Sequence, residues 1–173
     1  VAKPAMTAAE VAKVTAQAYT DHYAGINQGA TQSAVKSASL SKLLSLLSDW
    51  ANAVMAANET ALVKSARSQA QSFYTSDNKD LLHYARLIDA GTKNPAVKSK
   101  GAALESFLTS EVITANAVTG DEYKDAYGLA IYIPNYSYNS DYNGLAWAKD
   151  GAWAKFAQWQ KNIRDDSGYQ ASR

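Results

Sequence analysis

The stretch Gly128-Leu129-Ala130-Ile131-Tyr132-Ile133-Pro134 predicts one short buried strand in a chain that otherwise has mostly helical patterns. It alternates large and small residues, is rich in β-branched and aromatic side chains, and stops at a proline. A single strand is not stable alone, because its backbone groups need hydrogen-bond partners. Therefore either weaker strands of this chain pair with residues 129–133, or this strand completes a sheet whose other strands lie elsewhere.

Composition indicates a globular protein and excludes several kinds of function. The chain has 173 residues, of which 47% are apolar and 19% charged, which suits one domain over residues 1–173. A net charge of +1 argues against nucleic acid as a partner, and no apolar run approaches the roughly 20 residues of a membrane span. Because the sequence has no cysteine, thiolate catalysis, disulfides and cysteine metal sites are excluded within this chain.

Hydrophobic periodicity predicts a mainly α fold with a few short strands (α+β), in which about six helices form a bundle beside strand 129–133. In the first helix, Thr7 and Glu10 have the spacing of a capping box, and Val11, Val14 and Ala18 form a narrow apolar stripe. The predicted helices cover about residues 8–23, 39–54, 60–73, 80–89, 95–112 and 152–163.

The second helix carries the strongest amphipathic signal in the sequence. Its apolar face is formed by Leu40, Leu43, Leu44, Leu47, Ala51 and Val54. Such a face can bind a partner helix, but a core position is favoured because the neighbouring helices also carry apolar faces.

Between the helices, several segments are less regular. Residues 30–37 are predicted to be a short extended segment, and residues 112–115 continue the helix or turn extended. Residues 76–78 are predicted to form a turn with a helix cap, and residues 135–144 have the composition of a loop. The tail from Arg164 is expected to fray.

No recognised catalytic motif is present in the sequence. His22 and His83 are the only histidines, and neither has a second histidine at helical spacing, so packing or surface roles are favoured over metal binding or base catalysis. Four carboxylates lie close in sequence and could do acid–base work or bind calcium, but they do not have calcium-loop spacing and a solvated loop is favoured: Glu111, Asp121, Glu122 and Asp125.

The loop 135–144 is the candidate ligand surface. It carries Tyr136, Tyr138 and Tyr142 among asparagines and an aspartate. Exposed tyrosines stack on sugars or peptides while amides hydrogen-bond to them. The favoured alternative is that these rings cover the edge of the strand and the end of the core.

In the order of its segments, the chain resembles the C-terminal half of the clostripain family of cysteine peptidases, of the caspase-like clan. Four stretches carry the resemblance, which spans most of the chain. They are residues 4–13 (PAMTAAEVAK), residues 31–43 (Thr31-Gln32-Ser33-Ala34-Val35, then Ser39-Leu40-Ser41-Lys42-Leu43), residues 79–85 (KDLLHYA), and residues 128–134 followed by Trp153-Ala154-Lys155-Phe156.

The resemblance implies a part of a larger enzyme that is not catalytic alone. Members of this family use a histidine–cysteine dyad and generally cut after arginine or lysine, and both dyad residues lie upstream of the matched region. No catalytic residue is therefore assigned here. The implied role is a scaffold that braces the catalytic sheet. Strand 129–133 would then join that sheet or a small accessory one.

Partners, cofactors and location follow from the same resemblance. The expected partners are the N-terminal catalytic part of the same protein and, through it, a peptide substrate. No cofactor is expected in this chain, while calcium stays open for the parent peptidase. A secreted or periplasmic bacterial protein is expected. The alternative hypothesis is a stand-alone secreted module that binds glycan or peptide through Tyr136, Tyr138 and Tyr142.

Overall fold

The structure, a computed structural model, describes residues 5–163 and has the predicted mainly α architecture with two small antiparallel sheets. Seven α-helices lie in this part of the chain: α1 (Ala8–Gly25), α2 (Leu40–Ala57), α3 (Thr60–Gln69), α4 (Leu81–Gly91), α5 (Pro95–Phe107), α6 (Ala146–Asp150) and α7 (Trp153–Lys161). The four strands are β1 (Ala30–Val35), β2 (Asn78–Asp80), β3 (Ile113–Thr119) and β4 (Ala130–Tyr132). The predicted fraying from Arg164 falls outside the described residues.

The core lies among α2, α4, α5 and α7, as the apolar faces predict. The face of α2 is buried through Leu43, Leu47, Trp50, Ala51 and Val54, which confirms its place in the core. The Trp50 ring lies edge-on to Tyr84 of α4 at 6.0 Å and 6.0 Å from Phe156 of α7. Aromatic rings bury large apolar areas, so these contacts hold the bundle together.

Helix starts follow the capping residues in the sequence. Thr7 and Glu10 form the predicted capping box of α1, with the Thr7 amide donating to Glu10 Oε2 at 2.7 Å. Asn94 Oδ1 accepts the amides of Ala96 and Val97, so α5 begins at the proline that follows. Residues 76–77 form the predicted turn, but the cap of α4 is Asp80.

The first helix is placed as predicted, but its apolar stripe is not buried. Val11 and Val14 are 49% and 57% exposed, whereas Ala16 and Thr20 are buried. The reason is that α1 packs on the sheet of β1 and β3 through its other face, which includes the small residue Ala16. The apolar stripe of α1 therefore lies on the surface and not in the core.

The first sheet joins one strand that was predicted and one that the sequence left open. The extended segment 30–37 is confirmed as β1, which pairs with β3 from Ala30↔Thr119 to Val35↔Ile113. Its partner β3 begins after α5 ends in a π-helical turn, Leu108–Val112, beyond which the chain is extended. The predicted helix 60–73 ends at Gln69, because residues 71–73 pair with β2: the Asp80 amide donates to the Gln71 carbonyl at 2.9 Å.

Candidate binding site along the free edge of a strand

The predicted strand 129–133 is present as β4 and finds a partner within the chain. It pairs antiparallel with β2, in the register Asn78↔Tyr132, Lys79↔Ile131 and Asp80↔Ala130. The Leu81 amide donates to the Leu129 carbonyl at 2.9 Å, and the Ile133 amide donates to the Asp77 carbonyl at 2.7 Å. Odd-numbered residues of β4 therefore hydrogen-bond to β2, and the backbone groups of even-numbered residues point to the other edge.

That other edge is occupied at its two ends and open between them. At one end, Ser33 Oγ of β1 donates to the Gly128 carbonyl at 2.7 Å. At the other, the buried indole Nε1 of Trp153 donates to the Tyr132 carbonyl at 2.9 Å. Within residues 5–163, the amide and carbonyl of Ala130 and the amide of Tyr132 have no hydrogen-bond partner. We call these three groups the open edge.

The start of β4 is fixed by the buried carboxylate of Asp80. Its Oδ1 accepts the His83 amide at 2.9 Å and caps α4, while Oδ2 accepts the Tyr127 amide at 2.8 Å. The Gly128 amide also bonds to this carboxylate. Burial raises the pKa of Asp80 above its ordinary value, and the hydrogen bonds from the three amides oppose that rise. One side chain thus links β2, α4 and the chain entering β4.

Two grooves flank the open edge. The larger has a volume of about 410 Å³ and mostly apolar walls, formed by Val35, Leu40, Leu129, Ala130, Ile131, Tyr132, Tyr142, Leu145 and Trp147 together with Asn78. The smaller, of about 300 Å³, is lined by Thr31, Gln32, Ser33, Phe73 and residues 128–130. Ala130 lies between them, and neither groove is lined by a charged residue of the described chain. We call the two grooves and the open edge the trough.

Of the three tyrosines predicted as a ligand surface, Tyr138 and Tyr142 come together and Tyr136 stands apart. Their rings join that of Tyr132 from β4, with centroid distances of 4.8 Å for Tyr132–Tyr142, 5.9 Å for Tyr132–Tyr138 and 6.2 Å for Tyr138–Tyr142. The side chain of Tyr136 is 89% exposed. We call the three clustered rings the tyrosine cluster.

Hydrogen bonds hold the tyrosine cluster in place. The Tyr132 hydroxyl donates to the Ser137 carbonyl and accepts the Asn139 amide, and the Tyr138 hydroxyl donates to Asn143 Oδ1 at 2.6 Å. Burial, together with smaller contributions from the nearby Tyr138 and Tyr132, raises the pKa of Tyr142 to about 12. The Tyr142 phenol is therefore neutral at physiological pH. A shallow cavity of about 380 Å³ beside them includes Asn139 and Asp141.

Both histidines pack against tyrosine rings in the described part of the chain. His83 Nδ1 accepts the Gln71 amide at 3.1 Å, and its ring lies edge-on to Tyr127. His22 lies edge-on to Tyr23 on α1. Across residues 5–163, no group of three or more histidine or acidic side chains is arranged to hold a metal ion.

Two buried basic side chains, Arg67 and Lys79, hydrogen-bond to neighbouring segments of the fold. Arg67 donates to the carbonyl and side-chain oxygen of Gln160, whose amide in turn donates to the Pro134 carbonyl at 2.9 Å. Lys79 Nζ donates to Ser72 Oγ, and burial lowers the pKa of this lysine. These contacts fix the strand and the chain after it, so they position the trough without lining it.

The trough was not predicted from the sequence. Strand 129–133 was predicted, but which of its edges stays free depends on the neighbour with which it pairs. The signal that could have found the larger groove is a set of apolar residues outside the helical faces, notably Val35, Leu145 and Trp147. No helix in the described part of the chain is long and apolar enough to span a membrane.

Comparison with known proteins gives no relative from which a function could be transferred. No protein-family model matches this chain, and no curated protein or solved structure is significantly similar to it.

Proposed function

We propose that this chain is the non-catalytic C-terminal scaffold region of a clostripain-like cysteine endopeptidase that cuts after arginine or lysine. In this proposal it packs against the part of the enzyme that carries the histidine–cysteine dyad and braces the catalytic sheet there. The resemblance in four sequence stretches is one basis for the proposal. The lack of any cysteine in the sequence fits a region that supplies no nucleophile.

The observation that carries the scaffold role is the open edge of β4 beside an uncharged groove. A strand with unpaired backbone groups is a template for pairing with another polypeptide. The exposed valines of α1 add a second apolar surface, since Val11 and Val14 point away from the sheet that this helix covers. Both features favour contact with further protein, and neither supplies a reacting group.

Two experiments test this proposal. The coding sequence before Val1 should encode, in frame, a histidine and then a cysteine, each after a hydrophobic strand. The purified chain, free of other polypeptides, should not hydrolyse fluorogenic arginyl or lysyl peptides. An upstream sequence without the dyad, or hydrolysis by the isolated chain, would show that the scaffold proposal is wrong.

A second candidate function is a binding module for neutral glycans, favoured by the tyrosine cluster and its neighbouring amides. Stacked phenol rings beside side chains such as Asn139 form the kind of surface that sugars use. Tyr138→Ala should then abolish binding to a panel of glucose and N-acetylglucosamine oligomers. Tyr136→Ala is the matched control, because Tyr136 lies outside the cluster. Equal binding by both variants would refute this role.

A further inference from the structure

The open edge contains three polar groups in a row with a defined direction. The Ala130 amide and carbonyl and the Tyr132 amide all face away from β2, as the pairing of the odd-numbered residues requires. Their neighbours on the same edge, the Gly128 and Tyr132 carbonyls, already accept hydrogen bonds from side chains. The open stretch is therefore a short window of backbone with both ends closed.

An extended polypeptide satisfies these groups better than other partners do. A residue opposite Ala130 can exchange two hydrogen bonds with it, and a second residue can accept the Tyr132 amide. A helix cannot do this, because its own backbone groups are bonded internally. An anion is disfavoured because the open groups include a carbonyl and, among residues 5–163, no lysine or arginine lines either groove.

The walls of the trough indicate the side chains of the partner. In a strand, alternate side chains point to the same face. One set would enter the larger groove, against Tyr142, Leu145 and Trp147, where apolar branched residues fit the mostly apolar walls. At the other end, Thr31, Gln32 and Ser33 offer hydroxyl and amide groups to a polar side chain.

We propose that the open edge of β4 binds an extended, uncharged peptide segment as an added strand, with an apolar side chain of that segment in the groove beside Leu145 and Trp147. This deepens the scaffold role by stating the chemistry of the partner. Its connection to a peptidase rests on the proposed function, whereas the strand addition itself can be tested without one.

The test is backbone amide exchange measured by NMR on the whole chain, with a synthetic peptide as probe. The peptide has five alternating valine and threonine residues, which form the uncharged pairing segment, and one lysine at each end for solubility. In the free protein, the Ala130 and Tyr132 amides should exchange quickly, while those of Ile131 and Ile133 are protected by β2. At saturating peptide, exchange at Ala130 and Tyr132 should slow at least tenfold.

Matched controls separate backbone pairing from simple apolar contact. A fully N-methylated peptide of the same sequence keeps every side chain but has no amide donors, and it should bind at least tenfold more weakly. On the protein, Ala130→Pro removes an amide that β2 does not use, so it should reduce binding while Ala130→Val does not. Leu145→Lys should weaken binding and Leu145→Met should not.

Three outcomes would overturn the inference. The first is the absence of peptide-induced protection at Ala130 and Tyr132 up to millimolar peptide. The second is equal affinity for the N-methylated peptide, which would mean an apolar pocket without strand pairing. The third is protection that appears with protein concentration alone, which would assign the edge to a second copy of this chain. If Ala130→Pro fails to fold, amide exchange in the unsubstituted chain still tests the inference.

If peptide protects the Ala130 and Tyr132 amides but the upstream coding sequence lacks the histidine–cysteine dyad, strand addition would be supported and the peptidase proposal would be rejected.

Discussion

Replacing Asp80 by alanine should destabilise the fold far more than loss of an ordinary helix cap. The carboxylate caps α4 through the His83 amide and also accepts the Tyr127 and Gly128 amides. Loss of an N-cap costs about 1 kcal/mol. Each backbone amide left without an acceptor in a buried or half-buried position costs about 1 kcal/mol or more. The expected loss in the free energy of unfolding is therefore about 3 kcal/mol.

Asn94→Ala is the matched control, because Asn94 is also an N-cap but its side chain bonds only to amides of its own helix, Ala96 and Val97. This variant should lose only about 1 kcal/mol. Urea unfolding measures both: with a slope of about 2 kcal/mol per molar, the midpoint should fall by about 1.5 M for Asp80→Ala and by about 0.5 M for Asn94→Ala.

The comparison of the two midpoints decides whether Asp80 joins β4 to the rest of the fold. If they fall by the same amount, the bonds to Tyr127 and Gly128 add nothing to stability and the reasoning fails. If the reasoning holds, the Tyr127 and Gly128 amides should also exchange faster in Asp80→Ala. The open edge would then be less well ordered, and affinity for the alternating peptide should fall.

Three further predictions concern groups that hold the fold. Burial, with Glu105 nearby, raises the pKa of Asp89 to about 7, so the folded state favours its neutral form and the stability that this form contributes is lost as pH rises from about 4 to 7. In Asp89→Asn, the free energy of unfolding measured with urea should therefore change by about 1 kcal/mol less between pH 4 and pH 7, a figure reduced for solvent screening. The same pH dependence in both proteins would contradict this prediction. Gly128 has φ +109°, and an added Cβ would lie 3.0 Å from Ile113. Gly128→Ala should therefore lower the free energy of unfolding by about 2 kcal/mol, whereas Gly144→Ala, with open space around it, should leave it unchanged. Thermal unfolding compares the two variants, and equal midpoints would refute the strain at Gly128. Gln160→Ala leaves the buried Arg67 guanidinium without its side-chain acceptor, so it should lower the free energy of unfolding by about 2 kcal/mol in the same assay. A loss below about 0.5 kcal/mol would contradict this prediction.

Local signals in the sequence were sufficient for the six longer helices and for β4, whereas the five-residue α6 was not predicted. Caps such as Thr7 and Asn94, and the face from Leu43 to Val54, act within one element, so they could be interpreted without knowing its neighbours. The strand after Val112 was left open because a helical pattern and an extended one fit the same residues. Its identity depends on pairing with β1, which lies about 80 residues earlier in the chain.

The exposure of the apolar stripe on α1 could not be predicted, for a related reason. Hydrophobicity favours burial of Val11 and Val14, but the sheet of β1 and β3 accepts a helix through small residues such as Ala16. Close approach depends on shape as well as on apolar content. The candidate site was only partly predictable, because Tyr138 and Tyr142 were identified from composition, whereas the open edge depends on hydrogen bonds between distant segments.

The closure of the edge at its two ends explains why an exposed strand is tolerated here. Exposed edges promote aggregation when they are long and flat. In β4, the bond from Ser33 to the Gly128 carbonyl and that from Trp153 to the Tyr132 carbonyl leave only three backbone groups open. Three groups are too few to nucleate a continuous sheet, yet they can orient one short segment whose affinity comes from the adjoining groove. Removing either closing bond should therefore lengthen the open edge. Ser33→Ala should increase concentration-dependent self-association, measured by light scattering, and Thr31→Ala should not. Equal scattering by the two variants would show that the closing bond does not limit the edge.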